Sequence, residues 1–168
     1  VRRQPREPGE VFWDPDRALL DADVLEGVEG VVHLSGANIA GGRFTDERKA
    51  LLRSSRVGPT RLLSETLARL SKRPRVLVSA SALGYYGDRG DAWVVEADPP
   101  ANDFLGRLSV EWEQACDPAR KAGIRVVNPR FGIILSTAGG ALRTMLPAFR
   151  LGIAGVLSGS LAWLLERH

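Results

Sequence analysis

The sequence predicts an α/β fold in which a mostly parallel sheet lies between helices, in three layers. Short apolar runs alternate along the chain with longer segments whose leucines recur at helical spacing. Strands that alternate with helices in this way build parallel crossover units. The strands are also apolar on both faces, which is typical of a sheet covered by helices on each side.

Three apolar runs have the length and composition of buried strands. They cover residues 28–34, 75–79 and 124–135, and the third is interrupted by Asn128-Pro129. Near the start, Trp13-Asp14-Pro15 is interpreted as the exit of an earlier strand. We therefore expect several neighbouring strands of one sheet.

Two amphipathic segments predict the main helices. Residues 46–70 form the first, with Thr45 as its N-cap, and Gly58-Pro59 is expected to bend or break it. Residues 104–122 form the second, and Gly123 is expected to end it. On this second helix, Glu111 and Glu113 are predicted to be exposed and Trp112 to anchor the core.

Composition favours a globular protein of the cytoplasm. Hydrophobic residues make up 44% and charged residues 26% of the 168 residues. The net charge is +3, and the basic residues are scattered along the chain. This argues against a nucleic-acid surface, and no apolar run is long enough to span a membrane. Cys116 is the single cysteine, so we expect it to pack in the core rather than bind metal, for which no ligand cluster is apparent.

The segment 76–87 carries most of the functional information. A short apolar strand delivers Ser79 and Ser81, and then Tyr85, to its carboxyl end. In an open parallel sheet, ligands bind in the crevice at that end. The alternative interpretation is a buried strand followed by an ordinary turn of glycine and tyrosine.

Several motifs in order resemble one family, the NAD(P)-binding epimerase family proteins. This family is an atypical branch of the short-chain dehydrogenase/reductase superfamily, related to nucleoside-diphosphate-sugar epimerases. The resemblance extends from about residue 1 to about residue 157. It rests on residues 33–39, 55–60, 79–87, 103–105, 112–113 and 139–152.

The resemblance implies a Rossmann-type domain that is incomplete at both ends. Residues 1–135 match part of the dinucleotide-binding domain, whereas residues 136–168 match the start of a smaller substrate-binding portion and diverge from about residue 158. The glycine-rich turn that holds the pyrophosphate in such domains is expected before Val1. We therefore expect the beginning of the protein to be missing from this chain.

The resemblance also implies residues that bind the cofactor. Arg2 and Arg3 fall just past the second strand, where a guanidinium can bind a ribose 2′-phosphate and favour NADP over NAD; two solvated arginines are the alternative. The segment that passes beside the adenosine and ribose is matched by Leu34, Ser35 and Gly36. Arg56, Ser79 and Ile134 complete the predicted cofactor-binding residues.

The usual catalytic pair of the superfamily is absent. The tyrosine position holds Phe104 and the lysine position holds Leu108, neither of which transfers a proton. Ser81 keeps the serine position, and Tyr85 offers a phenol nearby. Two functions stay open: an NADP-dependent oxidoreductase or epimerase acting on a small polar substrate, or a non-catalytic dinucleotide-binding sensor or scaffold. A third possibility is that this chain binds no cofactor, since it does not contain the turn that holds the pyrophosphate.

Overall fold

The computed structural model describes residues 5–39 and 42–151 of the chain. Strands and helices alternate along this part of the sequence, as the apolar pattern predicts. The strands are β1 (Trp13–Asp14), β2 (Leu19–Leu20), β3 (Gly30–His33), β4 (Val76–Ser79), β5 (Ser81–Ala82), β6 (Arg125–Val127) and β7 (Arg130–Phe131). The helices are α1 (Asp46–Arg69), α2 (Phe104–Gln114), α3 (Asp117–Lys121) and α4 (Gly140–Arg150).

A parallel sheet in the order β3-β4-β6 forms the centre of the fold. His33 is paired with Ser79, and Val78 is paired with Val127, so the three strands end at nearly the same level. The three predicted strands are thus confirmed, although each is shorter than the apolar run that predicted it. Their carboxyl ends form one edge, and the loops that leave this edge meet there.

The third predicted strand is divided in two. β6 ends at Val127, and after Asn128-Pro129 the chain resumes as β7, which pairs in parallel with β5. Pro129 has no N–H for a sheet ladder, but its carbonyl oxygen accepts a hydrogen bond from the Ser81 amide at 2.9 Å. Beyond Phe131 the apolar residues as far as Leu135 lie outside any strand.

The segment around Trp13 does end a strand before Pro15, as predicted, but this strand is not part of the parallel sheet. β1 and β2 instead pair with each other as an antiparallel hairpin. The turn between them begins at Pro15, where the Asp14 side chain accepts from the Asp16 amide, and it ends at Ala18 with a positive φ of 54°. Leu20 then packs against the core.

Helix α1 runs without interruption through Gly58-Pro59, so the predicted break is wrong. The Thr45 hydroxyl accepts from the Arg48 amide at 3.2 Å, which confirms Thr45 as the N-cap. A proline inside a helix removes one backbone hydrogen bond. Pro59 is itself buried, between the buried residues Leu52 and Leu63, and packing on both sides of the proline offsets that loss.

The second predicted helix is two helices rather than one. α2 ends at Gln114 and α3 begins at Asp117, because Pro118 has no N–H to donate to the carbonyl of Gln114. Gly123 follows α3 with a φ of +85°, a conformation that favours glycine, which confirms it as the stop.

Helices α1 and α3 share one core with the sheet. Buried residues of this core are Leu63, Leu67, Leu70, Leu77, Cys116, Ala119 and Ile124. Cys116 is fully buried there, as predicted, and Trp112 is only 6% exposed. On the opposite face of the sheet, Val32 is 66% exposed. The described ranges hold no helix with the length and apolar character of a membrane span.

Candidate functional site

The predicted site residues gather at the carboxyl edge of the sheet. The Ala80 amide donates to the carbonyl of His33 at 2.9 Å, so Ser35 and Ser81 leave adjacent strands at the same edge. At the end of β6, the Asn128 side-chain amide donates to the carbonyl of Ser79 at 3.0 Å. The topology of a parallel sheet therefore brings together segments that are about 45 residues apart in sequence.

Arg56 lies directly against the loop that follows β3. Its Nη2 donates to the carbonyl of Ala37 at 2.9 Å, and its guanidinium lies 5.2 Å from the ring centre of Trp112. A Cβ on Gly36 would come within 3.2 Å of Arg56 Cζ, so a glycine gives this guanidinium its room. Arg56 is only 9% exposed, and this burial lowers the pKa of its guanidinium. The structure thus brings Gly36 and Arg56 into contact.

A buried hydrogen-bond network connects the loop after β3 to helices α1 and α2. Trp112 Nε1 donates to Thr60 Oγ1 at 3.0 Å, and the same hydroxyl is 3.0 Å from His33 Nε2. Ser35 Oγ lies 3.2 Å from His33 Nδ1. Burial lowers the pKa of His33 to about 4, so the imidazole is neutral near pH 7 and serves as a support for Ser35.

The remaining cofactor candidates differ in their exposure. Ser79 is fully buried, and its hydroxyl has no hydrogen-bond partner. Leu34 and Ile134, in contrast, are 65% and 74% exposed. Both follow strands at the carboxyl edge, so this edge presents apolar side chains to a ligand or to another part of a protein.

Ser81 belongs to a partly buried ion-pair cluster that the sequence did not reveal. Its hydroxyl donates to Glu113 Oε1 at 2.6 Å. Arg130 donates to the same carboxylate through Nε at 2.9 Å and Nη2 at 3.0 Å, and each of the two side chains is only 16% exposed. The prediction that Glu113 is exposed is therefore wrong, whereas Glu111 is 40% exposed beside Arg53.

Two tyrosines complete this cluster. Arg130 Nη1 donates to the Tyr86 hydroxyl at 2.7 Å, and the Arg130 guanidinium lies 3.4 Å from the ring centre of Tyr85. Hydrogen bonding to Glu113 raises the pKa of Arg130. Ser81 and Tyr85 are therefore brought to one cluster, but Glu113 and Arg130 were missed as members. In the sequence, Glu113 directly follows Trp112, the predicted core anchor, and this position on the helix could have indicated that Glu113 is not fully exposed.

Phe104 and Leu108, which stand where the wider superfamily has its tyrosine and lysine, pack against other side chains. Leu108 is 5% exposed. Phe104 meets Phe44 edge to face at 5.8 Å, and Lys49 Nζ lies 5.7 Å from the Phe104 ring centre. Neither position offers a proton-transfer group in this structure.

Some predicted features lie outside the described residues, namely Arg2, Arg3 and the tail from about residue 158. Within residues 5–39 and 42–151, no three histidine, cysteine, aspartate or glutamate side chains converge as a metal site would require.

Comparisons with known proteins agree with this architecture. The chain is 43% identical over 157 residues to an epimerase family protein of Mycobacterium bovis, a match that covers 94% of this chain and 52% of that protein. It therefore spans about half the length of the curated relatives it matches. No protein-family model matches the chain.

Two crystal structures share the fold. A nucleoside-diphosphate sugar epimerase from Corynebacterium glutamicum is 40% identical with a TM-score of 0.75, covering 89% of this chain and 31% of its own. A human epimerase family protein crystallised with NADPH is 29% identical with a TM-score of 0.76, covering 92% of this chain and 51% of its own. The fold is thus of the Rossmann type, and the chain is similar over nearly all of its length to epimerase family proteins, in agreement with the motifs that resemble the atypical short-chain dehydrogenase/reductases.

Proposed function

We propose that this chain contributes to a nicotinamide dinucleotide site at the carboxyl edge of its sheet. The observation that carries the proposal is the buried Arg56 guanidinium beside Gly36, at the same edge as Ser81. Among the described residues no carboxylate lies within ion-pair distance of Arg56, so its charge is free to meet an anionic ligand. A related human protein binds NADPH, according to its crystal structure.

The donor set fits the chemistry of a dinucleotide. Guanidinium groups bind phosphate through a planar fork of donors, and a glycine lets a ligand approach the backbone closely. When bound, a nicotinamide cofactor supplies a hydride donor or acceptor. On this proposal Leu34, Ser35 and Gly36 lie along the cofactor, with Ser79 and Ile134 at the nicotinamide end.

NADP is the proposed cofactor rather than NAD. The resemblance assigns Arg2 and Arg3 to the ribose 2′-phosphate, and the human relative supports this assignment because it was crystallised with NADPH. A fixed positive charge at that position favours the cofactor that carries the additional phosphate.

We propose that the complete protein is an oxidoreductase or epimerase of the cytoplasm that acts on a small polar, sugar-like substrate. Ser81 would orient a substrate oxygen. Because its hydroxyl hydrogen is directed to Glu113, Ser81 has only lone pairs to offer, and it would accept a hydrogen bond from a substrate hydroxyl. Tyr85 is the proposed proton donor, since Phe104 and Leu108 cannot serve.

A second function is favoured by the buried Leu108 and by the packing of Phe104 against Phe44. With these positions given to packing, the protein would bind a dinucleotide without turnover, as a sensor or scaffold. It predicts cofactor binding but no oxidation of NADPH across a panel of carbonyl compounds and sugar nucleotides. NADPH oxidation that is lost in Ser81→Ala would contradict it.

The proposed binding is tested by isothermal titration of the 168-residue chain with NADPH and NADH. We expect saturable binding of NADPH, and Arg56→Gln should weaken it about 10-fold or more, because a charged hydrogen bond contributes about 1.5–3 kcal/mol. Arg61→Ala is the matched control, since Arg61 lies exposed on the same helix. Equal losses in the two variants would contradict the role of Arg56.

The cofactor preference is tested separately with Arg3→Ala. This variant should weaken NADPH binding more than NADH binding, because NADH has no 2′-phosphate to lose contact with. Equal affinity of the wild-type chain for NADPH and NADH would remove the assignment of Arg2 and Arg3. Absence of binding to both cofactors would contradict the proposed site in this chain.

A further inference from the structure

Helix α1 directs a second arginine to the same loop as Arg56. The Arg48 guanidinium donates through Nη2 to the carbonyl of Asn38, one residue beyond the carbonyl that Arg56 contacts. Two positive charges, two helical turns apart, therefore hold consecutive peptide groups after β3. No prediction from the sequence included Arg48.

Neither arginine has an acidic partner in the part of the chain that the structure describes. Exposed arginines such as Arg61 and Arg107 also lack one, but their charges remain in water, whereas Arg56 is only 9% exposed. Buried charges are ordinarily paired, because removing them from water is costly. Arg56 is buried without such a partner and lies near a second cation, so an anion bound there would compensate both charges.

The two charges also act on each other. Burial is the main cause that lowers the pKa of Arg56, and the nearby Arg48 lowers it further. Two cations that repel each other are held together here by the fold, at a cost that an anion between them would relieve.

Hydrogen-bond donors remain free on both groups. A guanidinium has five N–H donors. Arg56 uses Nη1 toward Leu52 and Ser55 and Nη2 toward Ala37, which leaves its Nε. Arg48 Nε is buried and has no hydrogen-bond partner. A buried donor without a partner is uncommon in a folded protein, and an acceptor oxygen of a bound group would satisfy it.

We propose that Arg48 and Arg56 together hold a phosphate group of a bound nucleotide, with Arg48 as a binding residue in its own right. The phosphate comes either from the dinucleotide or from the diphosphate of a sugar-nucleotide substrate. A phosphate offers several acceptor oxygens and negative charge, which match the free donors and the unpaired charges. The proposal rests on the proposed function in taking the anion to be part of a nucleotide.

The test is isothermal titration of the 168-residue chain with four probes: 2′,5′-ADP, ADP, UDP and inorganic pyrophosphate. Arg48→Ala should weaken the binding of at least one nucleotide probe about 10-fold or more. The same variant should reduce the dependence of that affinity on salt concentration. The matched control is Arg53→Ala on the same helix, whose side chain faces Glu111 and should leave all four affinities unchanged.

The arms of the experiment separate the sources of the phosphate. Preference for 2′,5′-ADP indicates the 2′-phosphate, preference for ADP the dinucleotide diphosphate, and preference for UDP the substrate. Arg48→Lys, which keeps the charge but not the fork, should recover part of the affinity. Circular dichroism of each variant shows whether the helix content is kept.

Several results would overturn the inference. It fails if Arg48→Ala and Arg53→Ala bind every probe as the wild type does, or if the wild-type chain binds none of them. Binding of NADPH that does not depend on Arg48 would leave the proposed function standing and remove this inference. Arg48-dependent binding of pyrophosphate or UDP without any binding of NADPH would support the phosphate site at Arg48 and remove the proposed dinucleotide site.

Discussion

At the scale of the residue, the ion pair between Glu113 and Arg130 governs the surroundings of Ser81. The carboxylate accepts from the Ser81 hydroxyl and from two nitrogens of Arg130, and both charged side chains are largely enclosed. Breaking a buried pair from one side leaves the other charge without compensation. Glu113 is therefore expected to affect both folding stability and the orientation of Ser81.

We predict that Glu113→Gln lowers the free energy of unfolding by about 1.5–3 kcal/mol, because it removes the charged acceptor of Arg130 from a partly buried pair. The comparison is Glu111→Gln on the same helix, which removes a more exposed pair with Arg53 and should cost about 1 kcal/mol or less. Urea denaturation of the two variants measures the difference. Similar losses would show that the Glu113 pair is not protected from solvent.

Glu113 also illustrates why the sequence analysis reached only part of the site. Ser81 and Tyr85 could be proposed because the family motif contains them, and the structure brings both to one cluster. Arg130 lies 17 residues beyond Glu113. Which helix face meets which strand end depends on packing between elements, and periodicity within one helix does not contain that information.

At the scale of the element, the ends of helices follow local chemistry closely. The Asp103 side chain accepts from the Gly106 amide at 2.7 Å and so caps α2, the helix that carries Trp112 and Glu113 toward the sheet. Such a cap satisfies one of the free amides of the first turn. The cap therefore helps to fix the helix that supports the site.

Asp103→Ala should lower the free energy of unfolding by about 1 kcal/mol, because the first turn of α2 loses its side-chain acceptor. Asp103→Asn keeps an acceptor oxygen and should recover most of that loss. Thermal or urea unfolding of both variants provides the measurement. If alanine and asparagine destabilise equally, the negative charge rather than the cap would be the important feature.

Prolines mark the limit of prediction at this scale. Pro59 and Pro118 both lie in apolar segments with helical spacing, yet only Pro118 ends a helix. Local rules treat the two alike. The difference is that Pro59 is itself buried inside α1, whereas Pro118 is only partly buried and lies in the first turn of α3.

At the scale of the whole molecule, the parallel pairing of the strands could be expected from the alternation of apolar runs and leucine-rich segments. The parallel pairing of β3, β4 and β6 confirms that expectation. The hairpin of β1 and β2 could not be deduced, since two-residue strands leave hardly any periodic signal. Likewise, the unpaired charges of Arg48 and Arg56 became visible only when the loop after β3 was placed on α1.

Global stability should depend on the protonation of His33. Burial lowers its pKa from an ordinary value near 6.5 to about 4 in the folded protein. The unfolded chain therefore binds this proton more readily, so stability is fully present above about pH 6.5 and falls as the pH drops toward 4. The loss attributable to His33 is about 3 kcal/mol at the acid end.

The measurement is urea denaturation at a series of pH values from 7 to 4, with His33→Gln as the comparison. The variant should lose the part of the pH dependence that His33 contributes, even if it is less stable at every pH. Identical slopes in the two proteins would show that the imidazole already has access to water in the folded state.

The enclosure of Cys116 has a practical consequence. Its sulfur lies in the core where α2, α3 and the sheet meet, 3.7 Å from the Asn128 side-chain nitrogen, and it is the single thiol of the chain. A thiol-modifying reagent can reach it only when these elements separate. The rate of labelling therefore reports how often the interior opens, and slower labelling in the presence of a nucleotide would reveal ligand binding without any assay of turnover.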